Sequence, residues 1–113
     1  MLVESKSYAS RDSGDTFQDP VRAIKAVGDR TRLQILKVLL AGEQCVTDIA
    51  RQLGLAQPRI SHHLTILRNS GLVLDRRNGK QIIYSVNPDF RLNQNGNGAA
   101  IRIDCLRVDF GEP

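Results

Sequence analysis

The chain contains no tryptophan and only five aromatic residues, Tyr8, Phe17, Tyr84, Phe90 and Phe110. Single-stranded nucleic acids are gripped by several aromatics interleaved with positive charge, and only Tyr84 falls near a basic stretch, which argues against that mode. Cysteine occurs twice, at Cys45 and Cys105, with neither a CxxC spacing nor a disulfide framework, so cysteine does not hold the fold together. No apolar run approaches the roughly 18 residues of a membrane span. Residues 1–6 lack the basic-then-apolar order of a signal peptide, and a cytoplasmic protein without membrane contact is expected. Paired catalytic carboxylates, a nucleophile with its base, a metal cluster and a glycine-rich phosphate loop are all missing, so no enzyme is expected.

What is present is an ordinary globular mixture: 113 residues, 41% hydrophobic and 25% charged, enough for one domain. The formal charge is +4. Its distribution is uneven, because residues 51–80 hold six basic side chains against Asp75 alone, and the rest of the chain is close to neutral. A local positive field of this kind suits a polyanion such as nucleic acid.

Residues 1–16 are polar without an apolar period and read as a flexible arm. Asp19-Pro20 then offers a capping carboxylate before a proline at the first helical position, with Val21, Ile24 and Val27 following to a break at Gly28. Asp29 caps a second helix carrying Leu33, Ile35, Leu36, Leu39 and Leu40 as the spine of the core. A third helix is expected over residues 46–53, with Val46, Ile49, Ala50 and Leu53 on one face and Gly54 as its stop. The fourth begins at Gln57-Pro58 and runs to Ser70-Gly71, turning Ile60, Leu64 and Leu67 inward. Two short helices around a glycine turn read as helix-turn-helix. Beyond them, alternating runs flank Asn78-Gly79, the signal for a two-residue type I′ hairpin, with Arg76, Arg77 and Lys80 at its tip. After a polar, flexible stretch at residues 93–98, the tail repeats a strand-like pattern. Its adjacent Cys105 and Leu106 imply a bulge or bend. The expected class is α+β, mainly α: a winged helix-turn-helix over residues 17–90, with a two-stranded wing and a linker plus strand-like tail over 91–113.

The fourth helix is the natural reader of a DNA major groove. With its apolar face inward, Gln57, Pro58, Arg59, Ser61, His62, Thr65 and Arg68 are left for the duplex: Gln suits adenine, Arg guanine, and Ser or Thr either base or phosphate. Arg76, Arg77 and Lys80 on the wing suit phosphates or the minor groove. His63 borders the apolar face and reads as a hydrogen-bonded, half-buried group; no donor lies three or four residues away to complete a metal site with His62. Solvation of an exposed helix and protection of an edge strand are the plain alternatives for these charges.

The runs Ala26-Val27-Gly28-Asp29-Arg30-Thr31-Arg32-Leu33-Gln34-Ile35-Leu36, Val46-Thr47-Asp48-Ile49-Ala50 and Gln57-Pro58-Arg59-Ile60-Ser61-His62-His63-Leu64 resemble the ArsR/SmtB family of bacterial repressors, over about residues 20–86. The resemblance implies a homodimer on an inverted-repeat operator in double-stranded DNA, released by a metal ion, metalloid or oxidant. Many members carry Glu-Leu-Cys-Val-Cys-Asp-Leu at the third helix; here the run is Glu43-Gln44-Cys45-Val46-Thr47-Asp48-Ile49, with one of the two thiols missing, and the tail has no histidine for a zinc site. Cys45 and Cys105 remain as candidate thiols for arsenite, a soft divalent metal or oxidation. The alternatives are a buried small residue for Cys45 and an inward strand residue for Cys105. At the level of function, the alternatives are a regulator that senses no small molecule and a winged helix used only for protein contact.

Overall fold

A computed structural model describes residues 20–92 and 99–111. The expected arm at 1–16, the Asp19 cap and the polar stretch at 93–98 lie outside the described residues.

Helix α1 (Pro20–Val27) opens on a proline, whose fixed φ and missing amide suit a first helical turn. It buries Ala23, Ala26 and Val27, an i, i+3, i+4 set, and leaves the larger Val21 and Ile24 exposed. Helix α2 (Arg30–Ala41) is capped by Asp29, whose carboxylate accepts from the Arg32 amide at 3.0 Å. Thr31, Ile35, Leu36, Leu39 and Leu40 are buried, as the spine reading requires, with Leu33 half-buried. A two-residue strand β1 (Gln44–Cys45) leads into α3 (Val46–Leu53). Gly54 ends α3 at φ 69°, a left-handed conformation that costs glycine least, and its amide donates to Ala50 O at 2.8 Å. Helix α4 (Gln57–Asn69) follows, with Pro58 in its first turn and Ile60, Leu64 and Leu67 fully buried.

The wing is β2 (Val73–Asn78) and β3 (Gln81–Val86), and β1 adds antiparallel to the outside of β3, giving the order β1-β3-β2. The turn corrects the sequence reading by one residue. Asn78 pairs with Gln81, so the loop is Gly79-Lys80; only Gly79 has positive φ (66°), which suits a type II′ turn and not the expected type I′ at Asn78-Gly79. The cause is at the other end of the ladder, where buried Val73 and Val86 lie opposite each other and set the register. Lys80 is thereby in the loop itself.

Past Asn87 and a single 3-10 turn (Pro88–Phe90), the tail forms a second sheet of β4 (Arg91–Leu92), β5 (Ala99–Ile103) and β6 (Leu106–Gly111), in the order β4-β5-β6. The strand-like pattern is correct, but the adjacent Cys105 and Leu106 mark a chain reversal. Ile103 pairs with Leu106 across a turn at Asp104-Cys105, where Asp104 has φ 57°, and the register shift falls at Ala99/Ala100. The hairpin puts the apolar residues of both strands on one face without a bulge at the tip. Ile101 and Ile103 join the core built by all four helices, Leu72, Val73 and Val86. Asn87 ties the junction: its amide donates to Leu72 O, its side-chain nitrogen to Gly71 O at 2.8 Å, and its side-chain oxygen accepts from Asp89 N at 3.0 Å. The result is a winged helix-turn-helix, mainly helical, with a second small sheet closing its core.

Candidate nucleic-acid interface

Burying Ile60, Leu64 and Leu67 decides the rest of α4. These three sit at 0% exposure, and Gln57, Pro58, Arg59, Ser61, His62, Thr65 and Arg68, on the other sides of the helix, are all exposed. Arg76, Arg77 and Lys80 on the wing are exposed as well. The two sets meet where Ser61 of α4 and Lys80 of the wing loop line one cleft of about 320 Å3, together with Cys45 and Tyr84. Helix α4 and the wing loop thus meet at one cleft.

The cations are not equally free. Arg76 donates to Glu43 at 2.7 Å, tying the wing to the segment before α3, and Arg68 donates to Asp75 at 3.1 Å, tying α4 to β2. These are surface pairs, each worth about 0–1 kcal/mol, so a phosphate can compete for either cation. Arg59, Arg77 and Lys80 have no carboxylate partner among the described residues. Thr65 turns its hydroxyl back to Ser61 O at 3.0 Å, so its methyl group is the part left outward. Glu43 and Asp75 are functional neighbours that the sequence did not single out. They lie 33 and 7 positions from their partners, with no local pattern to mark them.

His63 is half-buried and hydrogen-bonded, as expected. Arg32 reaches it from α2: one guanidinium nitrogen lies 3.1 Å from Nδ1, while Nε donates to Ala26 O at 2.6 Å. Because arginine only donates, Nδ1 is the acceptor and the ring is neutral in this arrangement. Burial lowers the His63 pKa below its ordinary 6.5, opposed by the Asp29 carboxylate at 3.8 Å and aided by Arg32. Asp29 is itself lowered, chiefly by the hydrogen bond from the Arg32 amide. This cluster joins α4 to the α1–α2 corner. His62, its ring edge-on to His63, points outward.

The two cysteines are separated in kind. Cys45 is buried at the start of α3, its backbone paired with Ile83, whereas Cys105 is exposed in the turn of the other sheet, and both are free thiols. Among the described residues no three Cys, His, Asp or Glu side chains gather where a metal ion could be held.

Comparison with known proteins gives this geometry its context. The profile of the bacterial regulatory protein, arsR family, matches residues 29–74, from the α2 cap into β2. The arsenical resistance operon repressor of Escherichia coli K12 is 45% identical over 74 residues, 65% of this chain and 63% of that protein. The transcriptional repressor SdpR of Bacillus subtilis is 43% identical over 56% of this chain and 70% of its own length. The arsenical resistance operon repressor of Staphylococcus xylosus is 38% identical over 71% and 79% respectively. Among solved structures, HlyU from Vibrio cholerae superposes with a TM-score of 0.58 at 32% identity, over 77% of this chain and 82% of that one. The homodimeric winged helix-turn-helix DNA-binding domain Mb0332 from Mycobacterium bovis does so with a TM-score of 0.58 at 37% identity, over 59% and 62%.

Proposed function

This chain belongs to the ArsR family of bacterial regulatory proteins, transcriptional repressors and not enzymes, and on that premise we propose that it binds an inverted-repeat operator in duplex DNA as a homodimer. Helix α4 enters the major groove. Gln57, Arg59, Ser61 and His62 meet base edges, Pro58 and the Thr65 methyl give apolar contact, and Arg68 reaches the backbone. Arg76, Arg77 and Lys80 on the wing take phosphates or the adjacent minor groove. The observation that carries this reading is the convergence of Ser61 and Lys80 on one cleft, beside a helix whose opposite face is sealed in the core. Two-fold symmetry follows from economy, since one module of this size covers little DNA and a dimer doubles the contacts. The Mycobacterium bovis neighbour is described as homodimeric, which supports the same assembly here. The DNA-binding unit of this proposal comprises residues 17–90, preceded by the arm, with 91–113 as linker and tail. Its place of action is the cytoplasm; no helix among the described residues is long and apolar enough to cross a membrane.

For release, the proposal is a thiol-reactive inducer: arsenite, a soft divalent metal or an oxidant. The names of the Escherichia coli and Staphylococcus xylosus relatives support the metalloid class, and Cys45 in the cleft between α4 and the wing supports the location. Soft metals and trivalent arsenic take two or three thiolates, and a buried Cys45 with an exposed Cys105 on another sheet does not supply that set within one chain.

The test is a binding titration on the protein's own promoter region. Gln57→Ala and Ser61→Ala should narrow the gap between promoter and unrelated duplex, while Arg77→Ala should weaken both alike. Equal losses on both duplexes for all three variants would remove α4 as the reader.

A further inference from the structure

The tail sheet ends on an open edge. In the order β4-β5-β6, strand β6 has β5 on one side and, among the described residues, no strand on the other. An edge strand leaves every second amide and carbonyl unpaired and is a template for another strand. Many proteins blunt such an edge with proline or with charges of one sign; β6 reads Leu106-Arg107-Val108-Asp109-Phe110 and does neither.

That sequence is complementary to itself when reversed. Val108 is the centre, Arg107 and Asp109 flank it with opposite charges, and Leu106 and Phe110 flank those with apolar side chains. The pairing of Ile103 with Leu106 and of Ile101 with Val108 assigns Leu106 and Val108 to the face shared with the core and Arg107 and Asp109 to the outer face; Phe110, which the register shift leaves without a partner on β5, also packs against the core. Leu106 is 38% exposed at the edge of that face, an apolar side chain with more surface to cover. Arg107 and Asp109 meet each other at 3.0 Å, both well exposed.

We propose that β6 pairs antiparallel with β6 of a second copy of this chain, about a two-fold axis through Val108, joining the two tail sheets into one. The register follows from charge. With both apolar faces on the same side, a residue must lie opposite its own copy, and the registers that then pair at least three of Leu106–Phe110 are centred on Arg107, Val108 or Asp109. Centring on Arg107 sets two arginines opposite each other, and centring on Asp109 sets two aspartates opposite each other; either is repulsive. Centring on Val108 places Arg107 of each copy against Asp109 of the other, twice, and Leu106 against Phe110, twice. The like-charged neighbours Arg102 and Arg107, opposite each other across β5 and β6, gain a second carboxylate in this arrangement.

This inference rests on the homodimer reading above and names the surface that makes it. Mass in solution, by light scattering across a dilution series, tests it on the full chain. The wild type should be dimeric, while Arg107→Asp or Asp109→Arg alone sets like charges opposite each other and should raise the dimer dissociation constant about tenfold or more. Mixing the two single variants restores complementarity in a heterodimer, and the double reversal R107D/D109R restores it within one chain. Both should recover association, a result that loss of folding in a single variant cannot imitate. Single reversals as dimeric as the wild type, or a mixture that stays dissociated, overturn the edge pairing and leave the homodimer standing on another surface. A wild type that is monomeric throughout the series overturns both.

Discussion

Arg32 is the residue whose loss should be felt in two places at once. Its guanidinium ties the end of α1, through Ala26 O, to His63 in α4, beside the longer 3.8 Å approach of Asp29 to the same ring. A hydrogen bond from a charged donor contributes a net of about 1.5–3 kcal/mol when buried. Arg32 is half-buried, so the lower end, about 1.5 kcal/mol, applies to each of its two hydrogen bonds, and Arg32→Ala should cost about 2–3 kcal/mol. With an unfolding entropy of about 2.1 cal/mol/K per residue, each kcal/mol is about 4 °C at this length, and the melting temperature should fall by about 8–12 °C. Arg32→Lys offers one ammonium in place of a planar fork and keeps one partner at most, so it should lose about half as much. The variant also changes the pH response. His63 has a lowered pKa in the fold, so below its ordinary 6.5 the unfolded chain takes up the proton more readily, and stability should fall as the pH drops from about 7 to 5. Arg32 lowers that pKa while Asp29 raises it, so in Arg32→Ala the His63 ring should titrate higher and the loss on acidification should be shallower. Thermal melts from pH 5 to 8 and a proton NMR titration of the His63 ring measure both effects. A melting temperature within about 2 °C of wild type, or a wild-type His63 that titrates at or above its ordinary value, would refute the role given to this cluster.

Glu43→Gln releases Arg76 from its 2.7 Å partner and should tighten binding to any duplex, with a steeper salt dependence, as read by fluorescence anisotropy on unrelated DNA. Asn87→Ala removes side-chain hydrogen bonds to Gly71 O and Asp89 N where α4 hands over to the wing, and should destabilise by about 1–3 kcal/mol in urea melts. A thiol reagent should modify exposed Cys105 at once and the buried Cys45, reached through the cleft, more slowly, giving two phases of which Cys105→Ser removes the fast one.

What was legible in the sequence was local. The four apolar positions of α3 and its stop at Gly54, and the three of α4 behind Pro58, follow from helical period and backbone preference, and the exposed α4 site residues are the complement of that inward set. What was not legible was set by partners far along the chain. Strand β1 is two residues long and exists because it pairs with Ile83 and Tyr84, beyond the reach of any local pattern. The wing loop slipped from Asn78-Gly79 to Gly79-Lys80 because Val73 and Val86 fix the ladder from its buried end. The reversal at Asp104-Cys105 uses a non-glycine residue at positive φ, which carries no Asn-Gly or Asp-Gly signal. The ion pairs that hold Arg68 and Arg76 are likewise tertiary, and they set how many cations on the proposed DNA face have no carboxylate partner.

That number is also where the central claim can be tested most directly. Binding of the protein to its own promoter duplex and to a scrambled duplex, measured across a salt series, should give a log–log slope of about −0.9 for each phosphate neutralised. The proposed contact cations without a carboxylate partner among the described residues, Arg59, Arg77 and Lys80, set the shallow bound for a dimer at about −5; recruiting Arg68 and Arg76 sets the steep bound at about −9. A slope in that interval, with tighter binding to the promoter duplex, is the predicted result. Binding that ignores salt, or no difference between the two duplexes at any salt concentration, would contradict a repressor that reads DNA through α4 and the wing.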